Sequence, residues 1–281
     1  MAVGNFILNR FFTQYMIRDL VSQQINSIYE NLISMFVDDT ARNNADAIGQ
    51  IYAYMQRNYR NEYIYQNTLL NKLLLGRHSL NTTTALTQVP INKSKADFVL
   101  INGKAVVYEI KSELDSFERL ETQLSDYYKA FDYVCVVTSE DNLLKLEKIL
   151  GDSAVGICVL TKKNTLRFVK EARENKNFLD HRMIFKVLNK AEYEEIIIDW
   201  YGMLPDVKQV FLYKECLSLF CDIPMSELYP RYLKQLKKRN SVIKERFSQV
   251  PYELKSLIYF YNAKQKDYDE LNLFLNSKVR G

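Results

Sequence analysis

The chain has 281 residues, 47% of them hydrophobic and 26% charged, with a net charge of +4. This composition predicts a folded protein with a sizeable buried core and excludes a disordered or collagen-like chain. The charge is too small for a histone-like or ribosomal protein, and it permits a local nucleic-acid patch without arguing for one.

Residues 5 to about 75 predict helices. Phe12, Ile17, Leu20, Val21, Ile25, Ile28 and Leu32 recur at three- and four-residue steps. Asp38-Asp39-Thr40 and Asn43-Asn44 break the pattern. A second helix follows at roughly 45–58 and a third at roughly 61–75, ending at Gly76. In the opening MAVGNFILNRFF, Asn9 and Arg10 interrupt the apolar run, which argues against a secretory signal. No apolar run approaches the length needed to cross a bilayer.

Residues 83–170 change character. TALTQVPI, KADFVLI, KAVVYEIK, FDYVCVVT, AVGICVLT and TLRFVK are short runs rich in Val, Ile, Phe and Tyr. Helical patterns at 116–130 and 141–150 separate the later ones. The expected order is a three-stranded meander, then helix, strand, helix, strand and a short final strand. The strands reached through helices should run parallel to a neighbour. From 177 onward the pattern is helical again, with a stop and fresh start at Leu204-Pro205-Asp206. We divide the chain into an N-terminal helical region 1–60, an α/β core 61–172 and a C-terminal helical region 173–281.

Cys135, Cys158, Cys216 and Cys221 form no C-x-x-C pair, and His78 and His181 stand alone. A zinc site is therefore not expected, and a reduced, cytoplasmic location is. Cys135 and Cys158 lie in apolar runs, where a thiol acts as a small hydrophobe. Nothing matches a P-loop, a Ser–His–Asp arrangement or a dinucleotide fingerprint.

Chemistry concentrates in KADFVLINGKAVVYEIKSELDSFERLETQLSDY, residues 95–127. Asp97 opens one strand and Glu109-Ile110-Lys111 closes the next. Hydrolysis of a phosphodiester requires deprotonation of water and neutralisation of phosphate oxygens, which a carboxylate-held divalent cation supplies. Asp97, Glu109 and the Ile110 carbonyl are a plausible hard-oxygen ligand set. Lys111, two residues after Glu109, shares its face and can orient water or neutralise charge.

The hairpin decides whether the acids meet. A two-residue turn at Asn102-Gly103 would send Asp97 and Glu109 to opposite faces. An odd loop or a bulge is needed to bring them together, and a three-residue connection with Gly103 in the left-handed region satisfies this. A lone E-x-K is most often a solvated strand end. Here, however, the preceding run AVVYEIK is strongly apolar, so a charged pair at its end is costly unless exposed or used. The following helix, capped by Asp115 or Ser116, sets Arg119, Gln123 and Tyr127 on one face at i, i+4 and i+8.

These residues resemble the PD-(D/E)xK phosphodiesterase superfamily. Gln123-Leu124-Ser125-Asp126-Tyr127 looks like the Q-h-x-x-Y element of its RecB- and Cas4-like branch. More narrowly, residues 60 to 140 resemble the bacterial sce7726 family. The resemblance implies a restriction-endonuclease-like mixed sheet with helical additions, an α/β fold. It implies a Mg2+- or Mn2+-dependent nuclease with Asp97, Glu109 and Lys111 as its core and Gln123 and Tyr127 in support. An acid on the helix before the first strand often joins such sites, and Glu62 is the candidate. Ala96 stands where many members carry Pro. The cysteines of the iron–sulfur members are missing, so no cluster is expected.

The implied partner is nucleic acid, with DNA favoured over RNA, and no membrane. The alternative is a catalytically idle nuclease-fold protein that binds nucleic acid or a protein partner through its helical regions. The basic segment 231–246 is read as the solvated face of a helix before it is read as a phosphate groove.

Overall fold

The computed structural model describes residues 2–22, 27–240 and 242–279. Ile25, part of the N-terminal periodicity, lies outside them. The predicted order of the strands is the observed one. β1 (Thr84–Ile91), β2 (Ser94–Asn102) and β3 (Lys104–Lys111) form an antiparallel meander. α6 (Leu120–Tyr127) leads to β4 (Tyr133–Ser139), parallel to β3. α7 (Leu143–Leu150) leads to β5 (Gly156–Leu160), parallel to β4, and β6 (Leu166–Lys170) returns antiparallel. The six-stranded mixed sheet runs β1 to β6 in sequence order.

The β2–β3 connection is the odd one. Asn102 pairs with Lys104 and a single Gly103, at φ 72°, turns the chain. A left-handed residue there favours glycine, which lacks the Cβ that makes this region costly.

Helices cover both faces. The N-terminal helices are α1 (Ala2–Phe11), α2 (Gln14–Val21), α3 (Ser27–Phe36), α4 (Asn44–Asn58) and α5 (Glu62–Leu69). They pack with the later α12 (Lys244–Ser248), α13 (Lys255–Tyr261) and α14 (Gln265–Asn276) on the face that carries Phe98, Leu100, Tyr108 and Ile110. The opposite face carries Val99, Ile101 and Val107. It is covered by α6 and α7 with α8 (His181–Val187), α9 (Lys190–Tyr201), α10 (Gln209–Asp222) and α11 (Met225–Lys237). The segment 173–281 thus contributes to both cores.

Three helical boundaries differ from expectation. The first periodic run is not one helix, because Thr13 takes an extended conformation and its hydroxyl caps Met16 N, starting α2 afresh. The third helix passes into a π-turn over Leu70–Leu75. The helix expected at 116–130 begins only at Leu120. Asp115 does not cap it, because its carboxylate closes back on Ser112, accepting from the amide at 2.9 Å and the hydroxyl at 2.6 Å. Among the described residues no helix is long and apolar enough to cross a membrane.

Candidate active site

β3 is the central strand of the site, paired to β2 on one side and β4 on the other. The ladder to β4 continues to Lys111, opposite Thr138. The ladder to β2 stops at Phe98–Tyr108, one pair short of the position where Asp97 faces Glu109. The alternation of faces also slips here. Phe98 belongs to one core, whereas Ala96, two residues earlier, belongs to the other. On the facing strand Gln88 takes a left-handed φ of 51°. The two strands part, and the Asp97 side chain fills the gap. Its Oδ2 accepts the Ile110 amide at 2.9 Å, a donor left over where the ladder ends.

Glu109 lies one residue before Ile110 and is 1% exposed. Its Oε1 accepts from Lys111 Nζ at 2.8 Å and from Gln123 Nε2 at 2.6 Å. Gln123 Oε1 in turn accepts from Lys111 Nζ at 2.9 Å, closing a three-membered ring of contacts. Glu109 Oε2 lies 2.5 Å from the Tyr127 hydroxyl, which also approaches the Lys95 carbonyl at 2.8 Å. Gln123 and Tyr127 are four residues apart on α6, so one face of the helix delivers both. Arg119, expected to share that face, stays exposed at the N-cap position of α6. The Lys111 carbonyl is held by the Thr138 hydroxyl at 2.7 Å.

Glu62 sits in the first turn of α5, whose N-cap Asn61 accepts the Ile64 amide. Its side chain is exposed overall, but its Oε1 accepts from Gln88 Nε2 at 3.3 Å, and that amide also reaches Asp97 Oδ1 at 3.4 Å. Gln88 therefore bridges the two acids. Gln88 was passed over in the sequence; its one legible sign is a long polar side chain two residues before Pro90 in a strand of apolar residues and threonines. Asp126 was also passed over as a positioning residue. Buried, it holds the β1–β2 turn to α6 by accepting from Asn92 Nδ2 at 2.8 Å and Ser94 Oγ at 2.9 Å. A cleft of about 520 Å3 opens beside the site, lined by Glu62, Gln66, Ser112 and Asp115 and by Asn9 and Thr13 from the N-terminal helices.

The electrostatics follow from this crowding. Burial pushes the Asp97 carboxyl up to about 8, helped by repulsion from Glu109 and then Glu62; the Ile110 amide and Lys111 oppose the rise. Loss of hydration also raises Glu62, with Asp115 and Glu109 adding to it and Lys111 opposing. Burial raises the Tyr127 hydroxyl, and the Glu109 charge adds to it.

Glu109 pairs with the Lys111 ammonium, and Asp97 and Glu62, both raised, stand near it. All three offer hard oxygens of the kind a divalent cation of the Mg2+ type takes. Glu109 Oε1 has both lone-pair directions occupied, whereas Glu109 Oε2 and Asp97 Oδ1 keep capacity to accept more. Among the described residues, no three Asp, Glu, His or Cys side chains stand ready-made as a metal cage. In this conformation Glu109 directs its oxygens to Lys111, Gln123 and Tyr127.

The family model of bacteriophage P4 protein cII matches residues 55–264, about three quarters of the chain. The chain belongs to that family. The matched span contains all six strands and every acid of the site named above. No curated protein and no solved structure matches the chain.

The raised Asp97 carboxyl has a signed consequence for stability. Its folded value lies above the ordinary 3.9 of an unfolded chain, so the metal-free fold gains stability from the bound proton at low pH. That contribution is lost as pH climbs toward about 8. Metal-free protein should therefore melt at a lower temperature at about pH 8.5 than at about pH 5.5. Asp97→Asn should remove most of that difference, as measured by circular dichroism in EDTA; an unchanged pH dependence in the variant would refute the assignment.

Proposed function

We propose that this protein is a metal-dependent nuclease of the PD-(D/E)xK type, acting on DNA in preference to RNA. The observation that supports it most strongly is the Asp97 carboxylate seated on the Ile110 amide where β2 and β3 part, facing the buried Glu109–Lys111 pair. The sce7726-like resemblance around residues 60–140 belongs to the same proposal. Asp97, Glu109 and the Ile110 carbonyl are the proposed ligands of Mg2+ or Mn2+, with Glu62 at the cleft mouth. A divalent cation held there would neutralise non-bridging phosphate oxygens and lower the pKa of a bound water. Lys111 places its ammonium beside the reacting phosphate. Gln123 orients Lys111 and Glu109 together, and Tyr127 fixes the second oxygen of Glu109. In the reaction, water adds to phosphorus, one P–O ester bond breaks, and the departing oxygen takes up a proton. The products are a phosphate monoester and a free hydroxyl.

The proposed test incubates purified protein with plasmid, linear DNA and RNA in Mg2+, Mn2+ or EDTA. Because Glu109 and Lys111 are buried together, deleting either leaves the other unpaired at a cost of about 3–5 kcal/mol. Isosteric changes are therefore the cleaner probe. Asp97→Asn, Glu109→Gln and Lys111→Gln should each lower metal-dependent cleavage by at least about a hundredfold, with the variants verified as folded by their melts. Cleavage that persists in all three, or that resists EDTA, contradicts the reading.

One observation favours the alternative of an idle nuclease-fold protein with a protein partner. Trp200, Tyr201, Met203, Val207, Val210 and Phe211 form an exposed apolar patch where α9 meets α10, with Met203 71% and Val210 77% exposed. Large exposed apolar patches mark interaction surfaces. With a second copy of this chain as that partner, the alternative predicts self-association through the patch together with no cleavage. Light scattering should then show a mass above one chain that falls to one chain in Met203→Asp/Val210→Asp. A monomeric wild type argues against a second copy as the partner.

A further inference from the structure

The basic segment 231–246 separates into two groups. Arg231 pairs with Asp199 and Glu227, Lys238 with Glu195, Arg239 with Glu192, and Arg246 with Asp269. These charges are neutralised on the surface. Lys234, Lys237 and Lys244 have no ion-pair partner among the described residues, and of these Lys237 and Lys244 line one pocket of about 260 Å3 at the start of β1. Asn81, Thr82, Thr84 and Asn240 share its walls, and among the described residues no Asp or Glu does.

The walls are pinned. The Thr84 hydroxyl donates to the Lys237 carbonyl at 3.0 Å, which ties the end of α11 to β1 and occupies an acceptor that would repel an anion. Lys244 Nζ donates to Asn81 Oδ1. The Tyr259 hydroxyl accepts the Ala85 amide at 2.9 Å, which fixes α13 beneath the same strand. Two ammonium groups among amides and hydroxyls, with no carboxylate, match the charge and hydrogen-bonding of a phosphate.

The pocket shares β1 with the candidate active site. Thr84 and Gln88 are four residues apart, about 13 Å along a strand. A duplex advances about 3.4 Å per nucleotide on each strand. We propose that Lys237 and Lys244 hold a backbone phosphate of a nucleic-acid strand, about four nucleotides from the one presented to Asp97 and Glu109. The identity of the strand as substrate rests on the nuclease reading; the phosphate chemistry of the pocket does not.

The experiment is fluorescence anisotropy of a labelled oligonucleotide with the full chain in EDTA, across a range of salt. With a duplex oligonucleotide, Lys237→Gln/Lys244→Gln should weaken binding by about tenfold and lower the slope of log affinity against log salt by about 0.9, the share of one phosphate contact. Lys234→Gln, exposed on the same helix outside the pocket, should change neither by as much as half. Melts verify that the variants fold. Equal affinity and slope in the double variant overturn the proposal. So does a wild type that binds inorganic phosphate through these lysines but no oligonucleotide. Lysine-dependent binding without cleavage under Mg2+ or Mn2+ leaves the pocket standing and defeats the nuclease reading instead.

Discussion

Glu109 carries a carboxylate into the interior beneath α6, and the surrounding structure is arranged to keep it there. Desolvating an ion costs several kcal/mol. A hydrogen bond to a charged group returns about 1.5–3 kcal/mol. One donor is therefore too few, and Lys111, Gln123 and Tyr127 supply three. Lys111 meets Glu109 because alternate residues of a strand share a face. Gln123 and Tyr127 meet it because α6 crosses that face at the right height. Asp126, on the same helix, holds the β1–β2 turn and so sets that height. The residues that bury the charge thereby also fix β2, β3 and α6 against one another.

The same constraint explains the parting of β2 from β3. With Glu109 committed to α6, Asp97 turns to the Ile110 amide, and Gln88 on the facing strand adopts a left-handed backbone to follow it. Residues held in sparsely populated conformations persist where the surroundings over-determine them, and they gather at functional sites. Here the left-handed residue directs its amide at both Asp97 and Glu62.

Much of this was legible in local pattern. Period-two runs gave the six strands and their order; the sequence leaves the hairpin open between a two-residue turn and the odd loop that a shared face of Asp97 and Glu109 requires, and the structure has the odd one. Gln123 and Tyr127 were legible from their spacing. What escaped depends on partners distant in sequence. Nothing near Asp115 says that its carboxylate will turn back to Ser112 instead of capping α6. Arg119 has the spacing of Gln123 but stands at the N-cap in solvent. The amphipathic pattern of α12 to α14 shows an apolar face, but not that it crosses to the side of the sheet built by the N-terminal helices. Basic residues in 231–246 look alike as a string, and only the acids of α9, α11 and α14 distinguish the neutralised ones from Lys234, Lys237 and Lys244.

Membership of the bacteriophage P4 protein cII family covers the whole sheet and the acidic cleft. Beside that cleft Glu109 pairs with Lys111 while Asp97 and Glu62 stand close by, and a hard divalent cation is the proposed counter-charge. The most direct measurement is calorimetric titration of the metal-free chain with Mn2+. The account predicts saturable binding, displaced by Mg2+ and lost in Asp97→Asn. Failure of the wild type to bind Mn2+, or binding that Asp97→Asn leaves intact, would contradict it.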